Sequence, residues 1–155
     1  MQAFELVNQY GDMLYRICLL SLKNHADAED AVQEVFLKYF TRAPEFDSEN
    51  HRKAWLITVA LNQCKTIHRQ KKRSIPTEPE LLKISETISQ ENHAILDALV
   101  QVPEKFRIVL ILYYVEGYKI QEIANLIGKS SSAVKMRLSK GRKLLETIYR
   151  KEYLS

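Results

Sequence analysis

Apolar side chains recur every three or four residues along most of this sequence, the spacing that places them on one side of an α-helix. The first such stripe comprises Phe4, Val7, Tyr10, Leu14 and Ile17, broadened by Leu6, Met13 and Cys18. Four glycines and four prolines leave few positions for hairpin turns. We therefore predict an all-α protein with this first stripe in its core.

A second helix is predicted at about residues 27–40, DAEDAVQEVFLKYF, with carboxylates in its first turn that favour the positive end of the helix dipole. Its buried stripe is expected to comprise Ala28, Ala31, Val32, Val35, Phe36 and Tyr39. Its outer face is expected to carry Glu29, Asp30, Gln33, Glu34 and Lys38. An acidic face would repel DNA and therefore suggests a protein partner. Acids that only cap and solubilise the helix would give the same pattern.

A loop at residues 41–50, where Pro44 interrupts the helical pattern, separates that helix from a longer one at about residues 51–72. The apolar line of the longer helix comprises Ala54, Ile57, Leu61 and Cys64. An adjacent line begins at Trp55 and ends in cations, at Arg69, Lys71, Lys72 and Arg73. Such cations complement the helix dipole. Near an aromatic ring they also suit single-stranded nucleic acid, although Trp55 is equally compatible with a place in the core.

The composition changes at residues 74–90, SIPTEPELLKISETISQ, where prolines and small polar residues break the helical pattern. We interpret this stretch as a linker between two small helical domains, residues 1–73 and residues 91–155. The second domain is expected to bury Ile95, Leu96 and Leu99 in its first helix. Its next helix is predicted to start at Pro103 and to run through Phe106, Val109, Leu110 and Tyr113.

Two short amphipathic patterns separated by one tight turn occupy residues 117–145. The first, with Ile120, Ile123, Ala124 and Ile127 on one side, is expected to end at Gly128, because glycine adopts a left-handed backbone without steric cost. Ser130 or Ser131 is the expected N-cap of the second helix. Its inward residues are Val134, Leu138, Gly141 and Leu145, and the cationic residues lie outside that stripe. This pattern is typical of a DNA-reading helix-turn-helix, and a solvated surface helix in a bundle is the alternative.

Charge and chemistry narrow the possible functions. A net charge of +4 and a pI near 9.0 allow an anionic partner. Cys18 and Cys64 lack CxxC spacing and the four histidines are scattered, so no metal site or disulfide is indicated. No phosphate-binding glycine loop or nucleophile motif is present, so we expect no cofactor, no small-molecule substrate and no enzymatic activity. The N-terminus lacks a secretory signal and no apolar run could span a bilayer, so we expect a cytoplasmic protein.

Taken in order, these segments resemble a bacterial RNA polymerase sigma factor of the extracytoplasmic-function (ECF) type, within the sigma-70 family. DAEDAVQEVFLKYF is similar to the segment that binds core polymerase, and WLITVALNQCKTIHRQKKR is similar to the segment that melts and reads the minus-ten element. Residues 99–145 resemble the domain that reads the minus-thirty-five element. The resemblance implies a transcription initiation factor whose partners are core RNA polymerase and promoter DNA. The alternative is a free-standing helix-turn-helix regulator, which would not require core polymerase.

The resemblance also implies residue roles. The expected polymerase contacts are Glu29, Asp30, Gln33, Glu34 and Phe36. The expected minus-ten contacts are Phe46, beside a flipped base, and Trp55, Asn62, Lys65, Arg69, Lys71, Lys72 and Arg73. At the minus-thirty-five element, Lys135, Met136 and Ser139 would face bases, and Arg137, Lys140, Arg142 and Lys143 would meet phosphates, with Ser132 in the same set.

Two positions depart from the family pattern. Thr66 stands where the family commonly has an aspartate, so any hydrogen bond from that position is changed. Lys119 stands where the family often has a Ser or Thr cap, so the helix that follows is expected to be capped less well or in another way. Many relatives are held inactive by a cognate anti-sigma protein, often membrane-tethered, and we expect such a partner here.

Overall fold

The computed structural model describes residues 2–71 and 93–153 of the chain. The chain divides into two compact units, Met1–Thr77 and Glu78–Ser155. Every regular element within the described ranges is helical, which confirms the predicted all-α class. The predicted linker, residues 74–90, lies outside the described residues, as do Lys72 and Arg73. The predicted domain limits therefore stay a prediction.

In its described part the first unit contains three helices, α1 (Ala3–Leu22), α2 (His25–Arg42) and α3 (Glu49–Gln70). Local capping sets where α2 and α3 begin. The Asn24 side chain accepts a hydrogen bond from the Asp27 N–H at 2.9 Å, and Ser48 Oγ accepts one from the His51 N–H at 3.1 Å. Each bond satisfies an amide that lacks a partner inside the helix. Both helices therefore begin slightly earlier than the apolar pattern predicted.

Helix α1 packs against both α2 and α3. Its buried line passes through Leu6, Tyr10 and Ile17, which confirms most of the predicted stripe. The prediction is wrong for Phe4 and Val7, whose side chains are 77% and 45% exposed. Because the spacing from Leu6 to Tyr10 and Ile17 sets the centre of the buried face, Phe4 falls to one side of it.

The inner faces of α2 and α3 follow the predicted lines only in part. The fully buried residues on these faces are Ala28, Ala31, Val35, Leu56, Ile57, Ala60 and Cys64. The predicted core residues Val32, Phe36 and Tyr39 of α2 are only half-buried. Helix α2 lies on one side of a three-helix unit, so residues at the edges of its apolar stripe keep contact with solvent.

Cys18 of α1 and Cys64 of α3 are buried free thiols. A hydrogen bond with Cys64, and then burial, raises the pKa of Cys18 well above its usual value. The Cys18 thiol therefore stays protonated at neutral pH and acts as a packing group between two helices.

In its described part the second unit contains α4 (His93–Leu99), α5 (Glu104–Leu110), α6 (Ile120–Ile127) and α7 (Ser131–Tyr153). A π-helical segment, Ile111–Val115, continues α5. Helices α5 and α7 pack against each other, with Val134 and Leu138 buried on α7. A Cβ atom at Gly141 would lie 3.2 Å from Leu110 Cγ, so this glycine permits the close approach of the two helices.

Two residues predicted to follow the apolar line of the second unit are exposed instead. Ile95 is 46% exposed, because the short helix α4 turns Leu96 and Leu99 toward the core, and its predicted burial is wrong. Tyr113 is 36% exposed. The wider π-helical turn at residues 111–115 rotates the side chains that follow Leu110 relative to the α-helical register. The sequence pattern contained no signal for that change of register.

Arg107 is a buried cation that sequence analysis did not identify. Its side chain is 2% exposed, and Nη1 donates to the Val102 carbonyl at 2.5 Å and to the Val100 carbonyl at 3.4 Å. These carbonyls lie in the turn after α4, so the guanidinium ties that turn to α5. Its position reflects a structural role in the second unit.

Candidate nucleic-acid interface

The turn between α6 and α7 is fixed by local hydrogen bonds. Gly128 has a φ of 69°, in the left-handed region where glycine was expected. Ser130 Oγ accepts a hydrogen bond from the Ala133 N–H at 3.1 Å, so Ser130 is the N-cap of α7. Ser131 Oγ donates to Gln121 Oε1 at 2.6 Å, which joins the two helices directly. Both serines therefore stabilise the helix-turn-helix, each through a different bond.

The start of α6 is capped from the third helical position. Glu122 Oε1 accepts a hydrogen bond from the Lys119 N–H at 2.9 Å. This is one half of a capping box, and it needs no acceptor on the Lys119 side chain. The absence of a Ser or Thr at this position is therefore compensated by Glu122. Next to it, burial and then the carboxylates of Glu116 and Glu122 raise the pKa of Tyr118 to about 12.

The outer face of α7 presents most of the residues predicted to contact the minus-thirty-five element. The exposed members are Ser132, Lys135, Met136, Ser139, Lys140, Arg142 and Lys143. Met136 is 72% exposed, so its apolar side chain is accessible to a partner on this face. Arg137 differs from this set because it is half-buried. A single helix thus holds a continuous cationic surface opposite its buried stripe.

Two of these cations also contact aromatic side chains of the second unit. The Lys140 ammonium lies 5.3 Å from the centre of the Phe106 ring, close enough for a cation–π interaction. Arg142 Nη1 donates a hydrogen bond to the Tyr114 hydroxyl at 3.2 Å. These contacts tie Lys140 and Arg142, which flank the buried stripe of α7, to α5 and its π-helical continuation.

The acidic surface of α2 is exposed as predicted for Glu29, Asp30 and Gln33, whereas Glu34 and Phe36 are half-buried. Glu29 Oε1 lies 3.0 Å from His25 Nε2, and the other ring nitrogen of His25 is bonded to the Tyr15 hydroxyl. Sequence analysis missed two exposed apolar residues on the same helix, Leu37 and Phe40, which are 57% and 50% exposed. Leu37 lies one helical turn after Gln33, and this spacing in the sequence indicates that the two residues share one face of α2.

Phe46 lies on the loop between α2 and α3, and its ring belongs to an aromatic cluster. Its ring stacks against Tyr39, with 6.1 Å between centroids, and meets Trp55 edge-on at 5.9 Å. His51 approaches the same ring edge-on at 5.2 Å, and the Arg52 guanidinium carbon lies 5.2 Å from its centre. The structure therefore brings together the predicted minus-ten residues Phe46 and Trp55. Trp55 is half-buried, intermediate between a core position and an exposed one.

A polar network holds this aromatic cluster in place. Arg52 Nε donates to the Tyr39 hydroxyl at 3.0 Å, and the same guanidinium pairs with Glu49. Glu49 Oε2 also accepts a hydrogen bond from the Tyr10 hydroxyl at 2.7 Å. The network therefore connects α1, α2 and α3, the helices in the described part of the first unit. Sequence analysis missed Arg52 and Glu49, because their partners are distant in sequence.

The cationic side of α3 has two parts. Asn62, Lys65 and Arg69 are exposed at helical spacing and share one face of the helix. Thr66 accepts a hydrogen bond from Arg69 Nη2 at 3.4 Å and donates one to the Asn62 carbonyl at 3.1 Å. A neutral hydroxyl therefore contacts Arg69 at this position.

Lys71 differs from these residues because it pairs with an acid of its own unit. Its Nζ lies 2.5 Å from Oδ1 of Asp27, whose side chain is 12% exposed. The pair joins the C-terminus of α3 to the N-terminus of α2. A nucleic acid that used the Lys71 charge would have to compete with this carboxylate.

Within residues 2–71 and 93–153, no group of three or more His, Cys, Asp and Glu side chains is arranged to hold a metal ion. None of the helices in the same ranges combines the length and the apolar character needed to cross a membrane.

Comparison with known families assigns both units. The family model described as Sigma-70 region 2 matches residues 6–74. The model described as Sigma-70, region 4 matches residues 92–145. The first match contains the acidic surface of α2 and the aromatic cluster, and the second contains the helix-turn-helix.

Individual relatives agree with these matches along nearly the whole chain. The ECF RNA polymerase sigma factor SigW of Bacillus subtilis is 25% identical over 166 residues, which cover 91% of this chain and 85% of SigW. RNA polymerase sigma factor SigV of the same organism is 26% identical over 152 residues, 96% of this chain and 92% of SigV.

Solved structures share the fold at lower identity. The sigma factor RpoE from Bartonella quintana, solved in complex with the anti-sigma factor NepR, has a TM-score of 0.76 at 20% identity and covers 96% of this chain and 97% of that chain. CnrH, solved in complex with the cytosolic domain of CnrY, has a TM-score of 0.73 at 21% identity and covers 96% of this chain and 88% of that chain.

Both sigma-70 regions are matched in order, and relatives named as ECF sigma factors align with almost the full chain. A free-standing helix-turn-helix regulator would not account for the match of the first unit. The chain belongs to the sigma-70 family of RNA polymerase sigma factors, as a promoter-specificity factor of the ECF type.

Proposed function

We propose that this sigma factor works through three surfaces, each assigned to its own residues. The outer face of α7 reads the minus-thirty-five element, the aromatic cluster and α3 bind the minus-ten element, and the acidic surface of α2 binds core polymerase. In this proposal residues 1–73 and 91–155 act as the two functional domains, joined by residues 74–90. Linking two weak DNA contacts raises the effective concentration of each at the other's site.

The exposed cationic face of α7 carries the proposal. Lys135, Met136 and Ser139 follow one another on the side of the helix opposite Val134 and Leu138. An α-helix fits the major groove, where each base pair presents a distinct set of donors and acceptors. We assign base contacts to these three residues. Phosphate contacts are assigned to Arg137, Lys140, Arg142 and Lys143, with Ser132 at the same surface.

At the minus-ten element, the rigid aromatic cluster supports the proposal. Extruding a base from the stack costs a few kcal/mol, which contacts in the protein must offset. Phe46 and Trp55 are already held together by Tyr39 and Arg52, so little side-chain ordering is required on binding. We assign phosphate contacts along the melted strand to Asn62, Lys65 and Arg69. Lys71, Lys72 and Arg73 extend that set in the proposal.

For core polymerase, the charge of α2 supports the assignment. Glu29, Asp30, Gln33 and Glu34 give an acidic surface on a chain whose net charge is +4. A cationic surface on the partner would match it, and Phe36 would add apolar contact area. The same negative charge repels DNA, so we assign the acidic surface of α2 to polymerase rather than to nucleic acid.

The proposal includes an anti-sigma partner, a cytoplasmic location and no chemical step by the chain itself. Two structural relatives were solved with partner proteins, one of them named as an anti-sigma factor, and this supports a protein inhibitor here. Such a partner, membrane-tethered or not, is expected to reduce transcription when it is titrated into a reaction with core polymerase. Unchanged transcript levels at saturating partner would count against that candidate partner.

The central experiment is run-off transcription on genomic fragments with sigma-free bacterial core polymerase, with and without the purified chain. We expect transcripts that depend on the chain, and their upstream regions should share two promoter elements. A matched reaction with the Lys135→Ala variant should lose transcripts selectively at promoters that depend on the minus-thirty-five element. A folded chain that binds DNA alone but yields no transcripts would contradict the assignment.

A further inference from the structure

Tyr114 and Arg142 form a pair on the surface of the second unit that no sequence motif indicated. Arg142 Nη1 donates to the Tyr114 hydroxyl oxygen at 3.2 Å, across 28 residues of sequence. Tyr114 is 56% exposed, in the π-helical segment, and its ring is supported edge-on by Tyr113 at 4.8 Å between centroids. An exposed tyrosine is thereby held beside a cation of α7.

The position of Arg142 on α7 relates this pair to the base-reading residues. Arg142 follows Lys135 by seven residues, which is close to two helical turns and corresponds to about 10.5 Å along the helix. The two side chains therefore share one face. The major groove is about 12 Å wide, so a helix that places Lys135 against bases brings its residue two turns later to the phosphates at the groove edge.

The hydrogen-bonding capacity of the pair suits an anion. Within the described residues Arg142 forms no ion pair, and Glu146, one turn further along α7, is paired with Arg150 at 2.9 Å. The guanidinium has further N–H donors. The Tyr114 oxygen accepts from Arg142, which leaves its own O–H as a donor and polarises it. The pair thus offers several donors to one site.

From this geometry we propose that Tyr114 and Arg142 together bind a single phosphate of the DNA backbone, with Tyr114 both donating to the phosphate and positioning the guanidinium. The proposal rests on the assignment of α7 to the minus-thirty-five element and extends that footprint to the π-helical segment after α5. The phosphodiester is the ligand, so the contact adds affinity and register without reading sequence.

The test uses the holoenzyme, formed from core polymerase and the full chain, and a labelled promoter duplex at a series of salt concentrations. We expect Tyr114→Phe to weaken binding about three- to tenfold, the effect of losing one ordinary hydrogen bond, because Tyr114 is exposed and water competes for the phosphate. Arg142→Gln should weaken binding and reduce the slope of log affinity against log salt by about 0.9, the loss of one phosphate contact. The double variant should bind no more weakly than Arg142→Gln within about twofold, because the two groups act on one phosphate.

Tyr113→Phe is the matched control, since Tyr113 touches Tyr114 through its ring and takes no part in the bond to Arg142. It should bind like the unmodified chain. Normal binding by Tyr114→Phe, while Lys135→Ala and Arg142→Gln both bind weakly, would overturn the phosphate pair and leave the function of α7 intact. Normal binding by all three variants would overturn both the pair and the assignment of α7.

Discussion

The two units present their candidate residues in different ways. In the second unit, the predicted DNA-facing residues lie on a single helix, α7, and most of them are exposed. In the first unit, the aromatic cluster requires α2, the loop before α3, and α3 itself, and a network from Tyr10 through Glu49 and Arg52 to Tyr39 holds it. One interface is a helix face, and the other is a tertiary assembly.

This difference determines how mutations should be interpreted. An exposed side chain on α7 can be removed with little effect on the core, so a loss of DNA binding reports a contact. A side chain in the aromatic cluster contributes both to the fold and to the site, so its removal alters two properties at once.

Trp55→Ala should have the largest effect. The side chain packs on both Tyr39 and Phe46, and its removal leaves a gap in a half-buried cluster. We expect the free energy of unfolding of the first unit to fall by about 2–4 kcal/mol, below the range for fully buried aromatic residues. Hydrogen exchange of peptides from α1 to α3 measures this.

The matched substitution in the second unit is Met136→Ala, at an exposed apolar side chain. It should change the free energy of unfolding by less than about 0.5 kcal/mol. Equal stability losses in the two variants would show that the contrast between a tertiary site and a helix-face site is wrong.

Lys135→Ala should weaken binding at the minus-thirty-five element by about 1–3 kcal/mol, the range for a good base contact. The measurement is the affinity of the holoenzyme for a cognate promoter and for a promoter whose minus-thirty-five element is scrambled. Lys143→Ala is the comparison, because a phosphate contact should be lost on both DNAs alike. If Lys135→Ala weakens binding equally on both DNAs, Lys135 contacts a DNA phosphate rather than a base.

Glu34→Lys should weaken binding of the chain to core polymerase by about 1.4 kcal/mol, which is about tenfold, through repulsion from a complementary cationic surface. Circular dichroism should show an unchanged helical content. Glu5→Lys provides the same change of charge on an exposed residue of α1. If the Glu34→Lys chain binds polymerase as well as the control does, the acids of α2 serve only solubility.

Replacing a helical glycine by alanine should have opposite effects in the two units. At Gly11 a Cβ would meet Val7 Cγ1 at 3.6 Å, an ordinary contact, so Gly11→Ala should stabilise the first unit by about 0.5–1 kcal/mol. At Gly141 it would lie 3.2 Å from the buried Leu110, so overpacking should exceed that gain and destabilise the second unit by about 1 kcal/mol.

Trp55 is the one tryptophan of the chain, so its fluorescence follows unfolding of the first unit. Hydrogen exchange of peptides from α7 follows the second. A stabilising effect of Gly141→Ala would mean that α5 and α7 can separate slightly without cost. Close packing at Gly141 would then not be what holds α7 in place.

Local patterns were sufficient for the parts of this protein that depend on neighbouring residues. The left-handed turn at Gly128, a cap at Ser130 or Ser131 and the outward face of α7 all follow from spacing along one helix pair, and the structure has each of them, with Ser130 as the cap. The acidic face of α2 was predicted for the same reason. Periodicity identifies a helix and its two faces because both are properties of consecutive residues.

Periodicity did not determine which apolar residues are covered. Phe4 and Ile95 were expected in the core and are exposed, because burial depends on which side of each helix the neighbouring helices cover. Tyr113 is exposed after a π-helical turn that changes the register, and no pattern in the sequence indicated this turn.

The sequence alone was enough to predict the helical class, the helix-turn-helix, the acidic surface of α2 and the resemblance to sigma factors. The folded structure was needed to find that Arg52 contacts the aromatic cluster, that Lys71 pairs with Asp27, and that Arg142 donates to Tyr114. The physical reason is range. Caps and amphipathic faces arise from residues within a few turns, whereas these side-chain partnerships join segments that only the packing of helices brings within hydrogen-bonding distance.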